Sequence, residues 1–177
     1  MKNTMFAACT ALVLAFAAPA MAQKSAGNLV DDGTIATSLK ASLAAEKGVP
    51  VTDVNVEVYK GVVLLSGFVK TQAEKDAAGK VAKNVKDVVA VRNEIAVHPA
   101  TSMGTKLDDT VLVGKVKAAL VDDKDVKSGQ INVEARGGIV QLGGFVTGEN
   151  MKSRAIAVAK AVPGVKRVDD ALFVKPE

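Results

Sequence analysis

A chain of 177 residues has length for one or two small domains, and 23 basic against 19 acidic side chains is too near balance for a nucleic-acid stripe. One histidine and one cysteine leave little from which to build a nucleophilic triad, a thiolate site or a metal centre. Catalysis and nucleic-acid binding are thereby disfavoured.

Residues 1–22 read as an export signal. Lys2 supplies the positive start, Met5 to Ala18 an apolar stretch shorter than the roughly 20 residues that span a bilayer, and Ala20-Met21-Ala22 a small-residue cleavage site. Cleavage after Ala22 predicts a periplasmic protein with no integral membrane segment after signal removal. It takes Lys2 away and leaves 22 basic against 19 acidic residues, a net charge of +3. Cys9 lies inside the apolar stretch and leaves with it, so neither a disulfide nor a lipid-accepting cysteine is expected in the mature chain. Residues 23–30 form a short tail.

From residue 31 the chain is written twice. A shift of 77 positions aligns 31–97 with 108–174 without a gap, and 25 of the 67 pairs are identical. Glycines keep register: Gly61 with Gly138, and Gly67-Phe68-Val69 with Gly144-Phe145-Val146. A repeat this long predicts two independently cored modules rather than a solenoid. Domain one is therefore expected over 31–97, a linker over 98–107 and domain two over 108–174.

Each copy predicts helix, strand, strand, helix, strand. Ile35, Ala36, Leu39 and Leu43 recur at helical spacing, as do Leu112, Val113, Val116 and Leu120. Asp31-Asp32 and Asp108-Asp109 stand where acids cap a helix start. Val54, Val56 and Val58 then alternate with polar residues, as do Ile131, Val133 and Ala135, which predicts a strand with one buried face. Lys60-Gly61 and Gly137-Gly138 supply tight turns into a second strand. Gly67 and Gly144 fall within it, where a missing side chain would let a helix approach.

Thr71 and Glu74 form a capping box ahead of Ala78, Val81, Ala82 and Val85; the second copy offers Ala155, Val158, Ala159 and Val162 and stops at Pro163-Gly164. A last strand carries Val91, Ile95 and Val97, matched by Val168, Leu172 and Val174. The fold class is α+β: two tandem units, each with two helices on one face of a three-stranded mixed sheet.

This order of elements, repeated behind a signal and carrying Val63-Leu64-Leu65-Ser66-Gly67-Phe68-Val69 and Val140-Gln141-Leu142-Gly143-Gly144-Phe145-Val146, resembles the BON domain family. The resemblance implies a non-enzymatic periplasmic protein of envelope and osmotic stress that binds phospholipid or other macromolecules, with a chaperone-like role. It implies no cofactor and no catalytic residue.

Little else carries chemistry. His98 precedes Pro99 and reads as a solvated linker residue. Asp123, Asp125 and Glu134 fall at positions one, three and twelve of a calcium loop, but Lys127 and Ser128 break the pattern, so a turn and a strand face are preferred. No metal site is expected.

Two apolar surfaces stand out. If Val63, Leu65 and Val69 face the helices, then Val62, Leu64 and Phe68 point to the other side of the sheet, with Ile139 and Phe145 in the second copy. That face is a candidate interdomain or client face. The first helix of the second copy is apolar nearly all round, with Val111, Gly114 and Val121 outside its core stripe beside Lys115 and Lys117. These five residues are a candidate lipid or partner surface. The leading expectation is chaperone-like binding of unfolded exported or outer-membrane proteins, and the alternative is peripheral docking on anionic phospholipid.

Overall fold

The computed structural model describes residues 28–175, and the expected export signal with Cys9 lies outside them. In the first repeat, α1 (Asn28–Ala45) leads through a 3-10 turn (Val51–Asp53) to β1 (Val54–Tyr59) and β2 (Val62–Val69), then α2 (Gln72–Asn84), β3 (Ala90–Asn93) and β4 (Ala96–Val97). The second repeat has α3 (Met103–Asp122), a 3-10 turn (Ser128–Gln130), β5 (Asn132–Arg136), β6 (Ile139–Val146), α4 (Glu149–Ala161) and β7 (Arg167–Val174). β1 pairs antiparallel with β2, and the α2 crossover brings β3 and β4 back parallel to it. The β5-β6-β7 sheet repeats that order. The architecture is α+β, two mixed sheets each with its own helices.

Each repeat has its own core. Ile35, Leu39 and Leu43 of α1 and Ala78 and Ala82 of α2 meet Val54, Val56, Val63, Leu65 and Val69 on one face of the first sheet. Leu112, Val116, Leu120, Ala155 and Ala159 do the same in the second. The helical and two-residue periods thus meet on a shared apolar side. Thr71 closes its capping box with Glu74 at the start of α2.

Asp32 and Asp109 do something other than cap. α1 starts at Asn28 and α3 at Met103, upstream of both pairs, and the start of α3 falls inside the stretch read as linker. Ser102 caps α3, its hydroxyl accepting from the N–H of Thr105 at 3.3 Å. The second acid of each pair reaches its hairpin instead. The Asp32 carboxylate accepts from the N–H groups of Lys60 and Gly61 at 2.7 and 2.8 Å, and Asp109 from Gly137 and Gly138 at 2.8 and 2.9 Å. These four turn residues have φ of 50, 75, 65 and 83°, a left-handed pair that aims two successive N–H groups at one anion. Acid and glycine recur together because they are two ends of one contact.

Gly67 and Gly144 do not make room for a helix. Their φ angles are +116 and +145°, and a Cβ would sit 2.2 Å from the Asp53 carbonyl oxygen and 2.1 Å from that of Gln130. The neighbour is the 3-10 turn that launches the edge strand, so the tight approach is backbone on backbone.

The two sheets stack by the faces opposite their helices. Leu64, Phe68 and Phe145 are buried there, as are the polar Ser66 and Gln141. The contacts are reciprocal under the 77-residue shift. Asn55 Nδ2 donates to Glu134 at 3.2 Å, and Asn132 Nδ2 donates to Glu57. Tyr59 lies 5.7 Å from Phe145 at one end, while Arg136 stands over Phe68 at 5.6 Å at the other. Since Tyr59 aligns with Arg136 and Phe145 with Phe68, the interface has pseudo-twofold symmetry.

The symmetry fails at one pair. Gln141, aligned with Leu64, inserts its amide into the first sheet: Oε1 accepts from the N–H of Gly67 at 2.5 Å, and Nε2 donates to the carbonyl of Glu94 at 2.8 Å. With the Glu94 N–H on the Leu65 carbonyl at 2.9 Å, a regular parallel ladder would join the Gly67 N–H to the Glu94 carbonyl directly. The inserted amide takes that place. The expected single last strand of repeat one is accordingly split into β3 and β4, whereas β7 of repeat two runs unbroken along β6.

Candidate functional site

The outward side of α3 is the candidate site. Helical spacing puts Leu112, Val116 and Leu120 into the core, and turns Met103, Leu107, Val111, Gly114, Ala118 and Val121 away from it. Met103, Leu107, Val111 and Val121 are 78, 71, 58 and 67% exposed. Nothing lies within 4 Å of where a Gly114 Cβ would stand, so its small size leaves an open stretch in the stripe. Lys106, Lys115 and Lys117 are exposed on the same helix.

Two hollows flank the stripe. One of about 410 Å³ is lined by Val111 and Lys115 together with Asp108, Pro163, Gly164 and Lys166. The other, about 250 Å³, lies at the far end against Lys117, Val121, Ser128 and Ile131. In the first hollow Lys166 is anchored by its Nζ on the Gly137 carbonyl at 3.0 Å, while its aliphatic stem covers Gly138. The helix thus offers exposed alkyl groups with cationic heads to their sides. On α1 the positions aligned with Val111, Gly114, Ala118 and Val121 are Thr34, Thr37, Ala41 and Ala44, so the large alkyl groups at these places belong to the second repeat.

All five residues singled out on this helix, Val111, Gly114, Lys115, Lys117 and Val121, lie on its exposed side. Met103 and Leu107 were missed because they fell in the stretch read as linker. The 103, 107, 111 spacing, one turn at a time, was the available signal.

The other surface is interior. Leu64 is 0%, Phe68 3% and Phe145 7% exposed, and Val62 and Ile139 are half-buried at the hairpin ends of their strands. Its polar rim includes Glu57, whose carboxyl is pushed above the ordinary range by burial; the Asn132 amide, the Phe145 backbone N–H and the charge of Lys175 oppose that shift.

His98 is not a solvated linker residue. It is half-buried, its ring meets Phe68 edge-on at 6.4 Å, its N–H bonds the Val69 carbonyl and its carbonyl accepts from Arg136. Arg136 pairs with Asp53 at 3.2 Å, so this corner ties linker and both repeats together. The Asp123 carboxylate is engaged by Arg154 at 2.8 Å, which holds its carboxyl below the ordinary range. Among the described residues no three acids, histidines or cysteines gather as a metal would require.

Comparison with known proteins agrees with the internal repeat. The BON domain model matches residues 31–99 and again 108–176. Osmotically-inducible protein Y of Escherichia coli (strain K12) is 39% identical over 151 residues, covering 84% of this chain and 75% of that protein. Outer membrane lipoprotein DolP of Haemophilus influenzae is 34% identical over 148 residues, covering 82% of this chain and 75% of its own. Among solved structures, CdsD of the Chlamydia trachomatis type III secretion system overlaps at 12% identity with a TM-score of 0.35, over 82% of this chain and 64% of that one, too slight a likeness to bear on function. Two matched domains, each with its own core and reciprocal partner, make this chain a tandem member of the BON family.

Proposed function

We propose that this protein is a non-enzymatic component of the cell envelope, exported to the periplasm, that docks reversibly on anionic phospholipid through α3. The observation that carries the reading is the exposed stripe Met103, Leu107, Val111 and Val121 beside Lys106, Lys115 and Lys117. An amphipathic surface of this kind inserts alkyl groups at the headgroup boundary while its lysines meet phosphate. No helix among the described residues is long and apolar enough to cross a membrane, which fits surface docking. One relative is named an outer membrane lipoprotein and another osmotically inducible, which supports an envelope setting and a role under osmotic stress.

The stacking of the sheets supports the lipid reading over the client one. Of the two roles open to the face of Leu64, Phe68 and Phe145, interdomain contact or capture of unfolded exported polypeptides, burial of these side chains against the other repeat favours the first. The exposed apolar stripe remains, and its lysines favour lipid.

The test is co-sedimentation with phosphatidylglycerol vesicles at low and high salt, against phosphatidylcholine vesicles as control. Binding to the anionic vesicles should fall with salt and drop at least tenfold in Val111→Glu, whose unfolding curve should match the parent's because the site is exposed. Salt-independent binding, or none, overturns the lipid reading. The same stripe would then be assayed for suppressing aggregation of an unfolded outer-membrane protein.

A further inference from the structure

The interface between the sheets has the form of a homodimer contact made within one chain. Asn55 with Glu134 and Asn132 with Glu57 are one contact written twice, and Tyr59 on Phe145 occupies the place that Arg136 over Phe68 has at the other end. Three features make it selective for unlike repeats. The Gln141 amide enters the first sheet between Gly67 and Glu94, a place that Leu64 cannot fill in the second. Ser66 stands where its aligned residue is Gly143, and a Cβ on Gly143 would lie 2.6 Å from the Ser66 Oγ. Arg136 finds Asp53, which aligns with Gln130.

We infer that each inward sheet face is a docking site for the complementary repeat of a second copy of this chain, giving a dimer with exchanged repeats. All contacts of the closed monomer are reproduced twice in such a dimer, and only the path of residues 98–102 between β4 and α3 differs. That segment decides the outcome. Its start is fixed at both sides, by the His98 N–H on the Val69 carbonyl at 2.8 Å and by Arg136 on the His98 carbonyl at 3.2 Å. The exchanged dimer would also carry two α3 stripes, so on the lipid reading proposed above it would bind bivalently.

The experiment deletes Pro99, Ala100 and Thr101 from the full mature chain, keeping the His98 anchor and the Ser102 cap. Three residues remove roughly 10 Å of reach, too much for the two repeats of one chain to keep facing each other. Light scattering should show twice the parent mass, with the Gly67 and Gly143 amide signals unshifted, and adding Gly143→Leu to the deletion should abolish the dimer. A monomeric deletion variant overturns the inference. So does a dimer indifferent to Gly143→Leu, which would be held by another surface. If the deletion variant does not fold, the parent chain refolded from urea decides. A dimer fraction that rises with refolding concentration and survives dilution upholds the inference, and monomer throughout overturns it.

Discussion

Replacing Gln141 tests whether one inserted side chain holds the first sheet to the second. Gln141 is 3% exposed and its amide serves a donor and an acceptor at 2.5 and 2.8 Å. Gln141→Ala forfeits two hydrogen bonds worth about 0.5–1.5 kcal/mol each and leaves the Gly67 N–H and Glu94 carbonyl facing a gap, where an unmet buried group costs about 1–3 kcal/mol. Partial reclosure of the ladder offsets some of this, so the expected loss is about 2–4 kcal/mol by urea unfolding. Gln141→Glu sharpens the test. At neutral pH its carboxylate keeps the Gly67 bond but turns its other oxygen on the Glu94 carbonyl, and burial raises its pKa. Once protonated, the acid donates to Glu94 and restores the original pattern. The folded pKa lies above the unfolded one, so the deficit relative to the parent should shrink as pH falls through the raised value. The assays are urea unfolding at pH 7 and pH 4.5 and amide exchange at Gly67, each against the parent. An alanine variant within about 0.5 kcal/mol of the parent, the range of ordinary surface changes, with Gly67 exchange unaltered, would refute the reasoning.

Three further outcomes follow from the same geometry. Gly67→Ala should lose about 3 kcal/mol or more, because it places a Cβ against the Asp53 carbonyl at a φ that L residues avoid; an unchanged urea midpoint would show that the turn and strand accommodate a Cβ there and refute the clash. Asp109→Ala should lose about 2–4 kcal/mol, since the N–H groups of half-buried Gly137 and buried Gly138 lose a charged acceptor, and Asp32→Ala should lose less because Asp32 is more accessible; equal losses would show that burial is not what sets the difference. Glu57 has a raised pKa in the folded state, so its contribution is fully present below the ordinary carboxylate value and is lost as pH rises through the raised one. Glu57→Gln should flatten that part of the stability profile, and a profile parallel to the parent's would assign the slope to other groups.

Periodicity within each repeat made the helices, hairpins and cores legible, because core residues recur at spacings that only one element satisfies. Contacts between repeats were not. Nothing near Gln141 announces that its amide will enter a ladder 74 residues away at Gly67, where β3 and β4 part. Asp32 and Asp109 were visible as a repeated pair, but an acid near a helix start has a common local role, and the hairpin that claims it lies 28 residues on. The glycines were located correctly and explained wrongly, because helix and turn both press on a strand and sequence spacing does not distinguish them. On α3 the stripe was found from Val111 onward, while Met103 and Leu107 were lost with the early start of that helix.

Joining the two halves in one chain changes what a substitution can do. In a true homodimer every mutation arrives twice and must suit itself across the axis, so a serine at position 66 would meet another serine. Here Ser66 faces Gly143, Leu64 has its counterpart in Gln141, and Tyr59 in Arg136. Each position is free to specialise while its counterpart stays small, polar or charged as the neighbour demands. The same freedom leaves α1 plain on its outer side and α3 apolar, so one half can keep the framework while the other acquires a surface for the outside world.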